Sequence, residues 1–211
     1  MSLRHQPKAA LINDFSGFGR CSVTVALPII SQMKVQCCPV LTSVFSNHTG
    51  YPSFYFDDYT EKMPSYIAEW KKLNLHFECI AAGFLGSERQ IEIVKNFIRD
   101  FKDETTKVLI DPVMGDHGRT YQTFTPEMCS QMKQLAHFAD ILTPNLTEAC
   151  ILTDTPYHDG HWQMSELSEL ALSLIAMGPS KVVITGVSMG TFIGNVICES
   201  GGTPSVVKRK R

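Results

Sequence analysis

The sequence lacks the features that mark several large classes of protein. It has no uninterrupted apolar run of about 18 residues, and its first ten residues, MSLRHQPKAA, contain no apolar signal-peptide core. Its 19 Lys and Arg side chains nearly balance its 21 Asp and Glu side chains, for a formal charge of −2. A charge this small creates no strong field toward nucleic acid, and the basic run at 208–211 is short enough to be a solvated segment. We therefore expect neither a membrane nor a nucleic acid as a partner.

The cysteines lack the pairing that extracellular or zinc-binding domains show. There are seven of them, an odd number, two are adjacent (Cys37 and Cys38), and no CxxC occurs. This pattern argues against a disulfide scaffold and against a structural zinc site. It predicts reduced, mostly buried thiols and a cytoplasmic location.

Three common motifs are absent or incomplete. GFGRCS (17–22) approaches a dinucleotide-binding fingerprint, which also requires an acidic residue about 20 positions later, but no acidic residue lies between Asp14 and Asp57. GVSMG (186–190) matches a nucleophile elbow, but the last histidine of the chain, His161, precedes it and no helical pattern follows it. No GxxxxGK[ST] is present. These observations argue against a dehydrogenase, an α/β-hydrolase and a P-loop NTPase.

What the sequence does contain is a regular alternation of short apolar runs and amphipathic segments. The strand-like runs are 9–14, 35–44, 77–85, 107–113, 139–145, 181–187 and 191–200, and the helix-like segments are 22–33, 60–73, 87–101, 126–138 and 163–177. Strands separated by helices at intervals of about 30 residues predict βαβ units. We therefore expect one α/β domain over residues 1–211, with a doubly wound, mainly parallel sheet flanked by helices. The last run, 191–200, is predicted to be an antiparallel hairpin partner of 181–187.

The ends of the predicted strands are unusually polar. They read NDFSGFG, FSNHTGY, GFLGS, DPVMGD, TPNLTE and TGVS. A turn needs glycine and a small polar residue, but it does not need Asp, Asn, Glu and Thr after strand after strand. Because ligands of such sheets bind beyond the carboxyl ends of the strands, the pattern predicts a site at that edge.

Individual residues at these ends have two interpretations each. Asp111, Asp116 and Glu148 carry hard oxygen ligands suited to Mg²⁺. Alternatively, Asp111 belongs to an Asp-Pro turn, Glu148 is an acidic residue in the first turn of a helix, and Asn145 is a helix N-cap. The glycines of the 17–19 segment could present N–H groups to an anion or simply form a tight turn. The joint placement of these residues favours the functional interpretation.

The order and spacing of the strand-end segments resemble a known family. FSNHTGY, GFLGS, DPVMGD, ADILTPNLTEA and MGPSKVVIT together are similar to the pyridoxal/pyridoxamine kinase family of the ribokinase-like superfamily. NDFSGFGRCSVTVALPIIS further resembles the bacterial pyridoxamine-kinase branch, and its DxSGxxG pattern is also similar to that of hydroxymethylpyrimidine kinases. The resemblance covers about residues 9–200.

The resemblance implies which residues contact the vitamin. Asp14 and Ser16 would bond the pyridine ring, and Thr49 would contact its substituents. Phe84 stands where many relatives have tyrosine, which keeps an aromatic face without the hydroxyl. Tyr121 is expected to close over the site.

The resemblance also implies a nucleotide side that uses ATP and Mg²⁺. Asp111 would lie near the phosphates, and Asp116 and Glu148 would act through the metal ion. The remaining positions that match nucleotide-contacting residues of the family are Thr143, Asn145 and Thr185. Kinases of this family are commonly dimeric, so a homodimer is expected.

One family segment has no counterpart in the sequence. The glycine-rich GTGD segment of the family supplies an anion hole and the aspartate that activates the attacking hydroxyl, and no such segment follows Gly202. We therefore expect no catalytic base within residues 1–211, a base beyond Arg211, and a C-terminally incomplete domain. The function that the resemblance implies is ATP-dependent phosphorylation of the 5′-hydroxymethyl group of a vitamin B6 vitamer. The alternatives are a hydroxymethylpyrimidine kinase and a non-catalytic vitamer-binding protein.

Overall fold

Strands and helices alternate through most of the chain in the computed structural model, which describes residues 6–121 and 124–211. Within these ranges there are eleven strands and six α-helices. Contacts divide the chain into two compact units, Met1–Val108 and Leu109–Arg211. Helices pack against mainly parallel strands in the first unit and against both parallel and antiparallel strands in the second, which confirms the predicted α/β class. The single domain over residues 1–211 stays a prediction.

The first unit contains four strands and three helices. In chain order they are β1 (Lys8–Phe18), α1 (Ser22–Gln32), β2 (Gln36–Asn47), β3 (Phe56–Asp58), α2 (Met63–Lys72), β4 (Cys79–Ala82) and α3 (Glu88–Phe101). Strand β1 lies between β2 and β4 and is parallel to both, whereas β3 pairs antiparallel with the outer side of β2. The carboxyl ends of β1, β2 and β4 therefore share one edge.

Helix α3 shows how the sequence fixes these elements. Ile91, Val94, Ile98 and Phe101 recur at helical spacing and are all buried. Burying each such side chain stabilises the fold by about 1.5–3 kcal/mol. The helix begins after Ser87, whose hydroxyl accepts the N–H of Gln90 at 3.2 Å.

The second unit begins within β5, because the boundary between the units falls inside this strand. Its elements in chain order are β5 (Lys107–Ile110), β6 (Gly115–Asp116), β7 (Arg119–Thr120), α4 (Pro126–Ala136), β8 (Ile141–Leu142), α5 (Leu146–Thr153), α6 (Met164–Ala176), β9 (Lys181–Met189), β10 (Phe192–Glu199) and β11 (Ser205–Lys210). Strands β5, β8 and β9 are parallel, and β10 and β11 continue the order antiparallel. The predicted antiparallel hairpin partner is thus confirmed as β10. Strand β9 runs through the GVSMG segment and into a hairpin, so the structure has no nucleophile elbow there.

Several element boundaries differ from the sequence prediction. The first two strands run four and three residues further than expected, to Phe18 and Asn47, so the predicted site residues Asp14 and Ser16 lie inside β1. A register shift between Asn13 and Phe15 accommodates this continuation. Five elements that periodicity did not predict are β3, β6, β7, α5 and β11. The first three have only two or three residues, α5 is buried over most of its surface, and β11 is largely exposed, so none of them carries a clear amphipathic period.

Two other expectations concern membranes and cysteines. None of the helices that the structure describes is long and apolar enough to cross a membrane. All seven cysteines are thiols, as the sequence predicts, but the expectation that most of them are buried is wrong. Only Cys150 and Cys198 are buried, and the other five are partly exposed because they lie at element ends or on helix and strand faces that are only partly covered. Residues 1–5, part of the segment tested for a signal-peptide core, lie outside the described residues.

Candidate functional site

In the first unit, Asp14 and Ser16 lie next to each other on one face of β1. Both are buried, at 5% and 2% exposure, and the Ser16 hydroxyl donates to Asp14 Oδ2 at 3.1 Å. A buried carboxylate needs hydrogen-bond donors. The predicted pair is therefore brought together, and Ser16 supplies one of the donors that Asp14 needs.

Phe84 follows β4, at the same edge of the first unit. Its backbone N–H donates to Asn13 Oδ1 at 3.0 Å, and Asn13 directly precedes Asp14. Its half-buried ring packs edge-on against Phe45, with 6.0 Å between centroids. The structure thus places the predicted aromatic face beside the predicted Asp14 segment.

Thr49 lies in an exposed turn after β2. The turn is closed by the Tyr51 N–H, which donates to the His48 carbonyl at 3.1 Å, and by the Gly50 N–H, which donates to His48 Nδ1 at 3.0 Å. The His48 N–H in turn donates to the Phe18 carbonyl at 2.9 Å. The turn that carries Thr49 is therefore attached to the end of β1, and its threonine is accessible to solvent.

In the second unit, Asn145 and Glu148 form a capping box at the start of α5. Asn145 Oδ1 accepts the Glu148 N–H at 2.9 Å, and Glu148 Oε2 accepts the Asn145 N–H at 2.8 Å. The same two side chains also fix the DPVMGD loop. Glu148 Oε1 accepts the Met114 N–H at 3.1 Å, and Asn145 Nδ2 donates to the Gly115 carbonyl at 2.8 Å. The N-cap interpretation is thus correct, and it does not exclude a functional one.

The acidic side chains Asp111 and Glu148 have raised pKa values. Burial raises the pKa of Glu148 to about 8, and the neighbouring Asp111 carboxylate adds to the rise, whereas backbone N–H donors oppose it. Burial raises the pKa of Asp111 to about 6, against a hydrogen bond from the Thr143 side chain. It is therefore unfavourable for the neighbouring carboxyl groups of Asp111 and Glu148 both to be ionised without a cation nearby.

Thr143 and Thr185 lie beside this acidic pair. The Thr143 N–H donates to the Ile110 carbonyl at 3.0 Å, and the Thr185 N–H donates to the Pro144 carbonyl at 2.8 Å. Thr185 also forms an isolated parallel bridge with Asn145. The structure therefore places Thr143 just beyond β8, and Thr185, which lies in the middle of β9, beside Asn145.

Asp116 and Tyr121 lie on the exposed side of the same group. Asp116 Oδ1 accepts the His117 N–H at 2.8 Å, and the side chain of Asp116 is about half exposed. Partial burial and then the carboxylates of Glu148, Asp116 and Asp111 raise the pKa of Tyr121. Tyr121 is thus close enough to these carboxylates for their charge to act on its hydroxyl, and its closing over the site stays a prediction.

The acidic residues of the second unit suit a magnesium ion only if water or phosphate supplies some of its ligands. Among the residues that the structure describes, no three His, Cys, Asp or Glu side chains could hold a metal ion by themselves. Mg²⁺, however, commonly keeps several waters and binds one or two carboxylates together with substrate phosphates. Asp116, with its exposed carboxylate, suits such an ion, whereas both oxygens of Glu148 already accept backbone N–H groups. A Mg²⁺ that arrives with a nucleotide fits these residues, and a protein-only cage does not.

Three residues with a clear structural role at the site were not predicted from the sequence. Asn13 and Thr42 bind the backbone of Phe84, and Gln90 binds the loop that follows it. Only Gln90 left a signal, because it is a polar residue on the apolar stripe of α3, one turn before Val94.

Comparison with known proteins agrees with the fold. Residues 27–211 match the phosphomethylpyrimidine kinase family. A pyridoxal kinase from Arabidopsis thaliana is 31% identical over 182 residues, which is 81% of this chain and 56% of the relative. The chain spans about half the length of such relatives, for example 45% of the pyridoxal kinase from Sus scrofa.

Solved structures give the same result over nearly the whole chain. A protein from Bacteroides thetaiotaomicron that carries the phosphomethylpyrimidine kinase name is 43% identical, with a TM-score of 0.95 over 100% of this chain and 73% of its own. A second crystal form of that protein, with pyridoxal, superposes with a TM-score of 0.92 over 97% of this chain and 72% of its own. Pyridoxal kinase from Lactobacillus plantarum is 28% identical, with a TM-score of 0.88 over 98% of this chain and 73% of its own.

These similarities confirm the ribokinase-like α/β fold and the resemblance to pyridoxal kinases that the sequence segments indicate. The family match covers far more than half of the chain. The chain belongs to the phosphomethylpyrimidine kinase family, and pyridoxal kinases are among its relatives.

Proposed function

We propose that this protein transfers the γ-phosphoryl group of ATP to the 5′-hydroxymethyl group of a vitamin B6 vitamer: pyridoxal, pyridoxamine or pyridoxine. The observation that carries the proposal is the pyridoxal in crystals of the Bacteroides thetaiotaomicron relative, which is 43% identical and covers 97% of this chain. The residues expected to contact the ring are present here and lie at one edge of the first unit.

The first unit would hold the vitamer. The carboxylate of Asp14, oriented by Ser16, would accept a hydrogen bond from a polar ring atom, and the Phe84 ring would pack against the pyridine face. Thr49, from its exposed turn, would bond a ring substituent. Neutral and singly charged groups of this kind suit a small polar heterocycle.

The second unit would hold the phosphates. Thr143, Asn145 and Thr185 would contact the nucleotide, and Asp111 would stand near its phosphates. Asp116, and Glu148 through water, would hold the Mg²⁺, which when bound neutralises phosphate charge. Tyr121, beside these carboxylates, would cover the bound groups and limit the access of water. No described residue is assigned as the base that activates the attacking hydroxyl.

A hydroxymethylpyrimidine kinase is a second candidate, because the matching family carries the phosphomethylpyrimidine kinase name. The two substrates are both small heterocycles with a hydroxymethyl group, so the same scaffold could serve either. The FSNHTGY segment, which resembles pyridoxal kinases, favours the vitamin B6 side. A non-catalytic vitamer-binding protein would share the ring contacts and lack turnover.

The expected homodimer and cytoplasmic location are part of the proposal. Helix α1 has an apolar composition, yet Val23 is its only buried residue among those described, and Leu27, Ile29 and the following Met33 are exposed. An exposed apolar helix of this kind is suited to a subunit interface. Seven thiols are consistent with a reducing compartment.

Titration calorimetry on this chain tests the substrate class. We expect pyridoxal or pyridoxamine to bind more tightly than 4-amino-5-hydroxymethyl-2-methylpyrimidine, and Thr49→Val to weaken vitamer binding by roughly 1–3 kcal/mol through a lost hydrogen bond. The melting temperature should hardly change, because Thr49 is exposed. Thr191→Val, another exposed turn threonine, serves as the matched control and should leave binding unchanged. Preferential binding of the pyrimidine would replace the proposal with its alternative, and equal affinities for wild type and Thr49→Val would remove Thr49 from the site.

A further inference from the structure

Phe84 is held by its backbone from two neighbouring strands. Its N–H donates to Asn13 Oδ1 of β1 at 3.0 Å, and its carbonyl accepts the hydroxyl of Thr42 of β2 at 3.0 Å. Both backbone hydrogen-bonding groups of a loop residue are therefore bound by side chains. This arrangement fixes the point from which the Phe84 ring projects.

Asn13 links Phe84 to the buried carboxylate. Its Oδ1 also accepts the N–H of Asp14 at 3.0 Å, so one amide oxygen holds the backbones of both residues. The approach is close enough that a Cβ at Gly83 would lie 2.5 Å from Asn13 Nδ2. Only glycine at position 83 leaves room for Asn13 in this orientation.

Thr42 and the rest of the loop are held in turn by Gln90 of α3. Gln90 Nε2 donates to the Thr42 carbonyl at 2.8 Å, and Gln90 Oε1 accepts the Gly86 N–H at 2.8 Å. Thr42 and Gln90 are both fully buried. Nε2 also lies 3.0 Å from Asp58 Oδ1 and 2.8 Å from Thr60 Oγ1, so the Gln90 amide is fixed on several sides. A buried network in which the members are satisfied is rigid.

We propose that Asn13, Thr42 and Gln90, which we call the Phe84 clamp, are positioning residues that set the Phe84 ring against the vitamer and hold it in register with Asp14. The inference rests on the proposed function for the identity of the ligand. The clamp does not touch the ligand itself. It acts by preventing displacement of the ring, because shifts of about 1 Å at a binding group are enough to lose much of its effect.

Thr42→Val tests the clamp, because it removes the hydroxyl and keeps the shape of the side chain. Thr106→Val is the matched control: Thr106 is 2% exposed in the same unit, and its hydroxyl donates to the Phe77 carbonyl at 2.8 Å. Both variants lose one buried hydroxyl-to-carbonyl hydrogen bond, and Thr106→Val also loses contacts of its hydroxyl with the N–H and Oδ1 of Asp103 at 3.3 and 3.2 Å. The control should therefore lose at least as much stability as Thr42→Val. We expect the Kd for pyridoxal to rise about tenfold in Thr42→Val only. Thr42→Ser, which keeps the hydroxyl, should bind pyridoxal with the wild-type Kd.

Two further readouts separate positioning from general destabilisation. Where turnover is measurable, Thr42→Val should raise KM for pyridoxal and leave KM for ATP unchanged, whereas a loss of folded protein would lower kcat alone. Amide hydrogen exchange at Phe84 and Gly86 should accelerate in Thr42→Val and not in Thr106→Val. Equal Kd values in the two variants, or a Kd that Thr42→Ser fails to restore, would overturn the positioning role.

Amide hydrogen exchange also tests the clamp independently of the proposed function. A wild-type protein that binds no vitamer would overturn the function and, with it, the role of the clamp toward that ligand. Accelerated exchange confined to Thr42→Val would then still establish the clamp as a device that fixes Phe84. Unchanged exchange would show that the clamp does not fix the loop at all.

Discussion

The two units fix their strand-end loops with different chemistry. In the first unit neutral amides and a hydroxyl bind the backbone of the 83–87 loop, through Asn13, Thr42 and Gln90. In the second unit a buried carboxylate, Glu148, accepts backbone N–H groups from Met114 and Asn145. Loops that follow parallel strands are thus held by uncharged side chains in the first unit and by an ionisable side chain in the second.

This difference is consistent with what each unit is proposed to bind. Asn13, Thr42 and Gln90 have no ionisable side chain, so the hydrogen bonds that they make to the loop should persist at any pH near neutrality. A buried carboxylate beside a second one has a raised pKa and gains from a cation nearby. The first arrangement suits a small organic ring, and the second suits magnesium and phosphate.

The largest effect is expected from a substitution that removes the hydrogen bonds of Glu148 in the second unit. Glu148→Ala leaves the N–H groups of Met114 and Asn145 without their acceptor, so the free energy of unfolding should fall by roughly 2–4 kcal/mol at pH 6. Glu166→Ala is the control, because Glu166 forms the same capping box with Gln163 at the start of α6 but its side chain is 40% exposed. That variant should lose only about 0.5–1 kcal/mol. Urea unfolding of both variants measures the difference, and equal losses would show that burial of Glu148 does not matter.

An intermediate effect is expected from a substitution of Gln90 in the hydrogen-bond network of the first unit. Gln90→Leu removes the donor to the Thr42 carbonyl and the acceptor of the Gly86 N–H, so stability should fall by roughly 1–3 kcal/mol. Because Gln90 does not titrate, the loss should be the same at pH 6 and pH 8. Urea unfolding at both pH values checks this. A loss that changed with pH would contradict this prediction.

The smallest effect is a slope in the pH dependence of stability. Burial raises the pKa of Glu148 from its ordinary value of about 4.5 to about 8 in the folded state. Between these values the unfolded chain is ionised while the folded chain keeps its proton, so stability should fall as pH rises and level off above about pH 8. The slope from this group is at most about 1.4 kcal/mol per pH unit. Thermal unfolding between pH 5.5 and 8 should give a shallower slope for Glu148→Gln than for the wild type, and an identical slope would contradict the raised pKa.

Local sequence patterns predicted much of the fold. Helix α3 was predicted within one residue, at 87–101, because its apolar residues recur at helical spacing with charged residues between them. Asn145 was predicted as an N-cap and Glu148 as an acidic residue of a first helical turn, and their place in a site was predicted from the polar strand ends and the family resemblance. The capping box that joins the two side chains was found only in the structure. Strand ends were predicted less well, because β1 and β2 continue through residues that look like turns. These residues are held in strand geometry by pairing between β1 and β2 and, for β2, also by pairing with β3.

The sequence by itself determined the alternation of strands and helices, the polar strand ends and the residues that resemble pyridoxal kinases. These depend on periodicity and on short motifs, which are local properties of a chain. Only the tertiary structure decided which polar side chains fix the site. The partners of Phe84 lie 71 and 42 positions away in the sequence, and Gln90 contacts Thr42 across 48 positions. Such hydrogen bonds exist only once β1, β2 and β4 are aligned, because a hydrogen bond requires a separation of about 3 Å that no local pattern specifies.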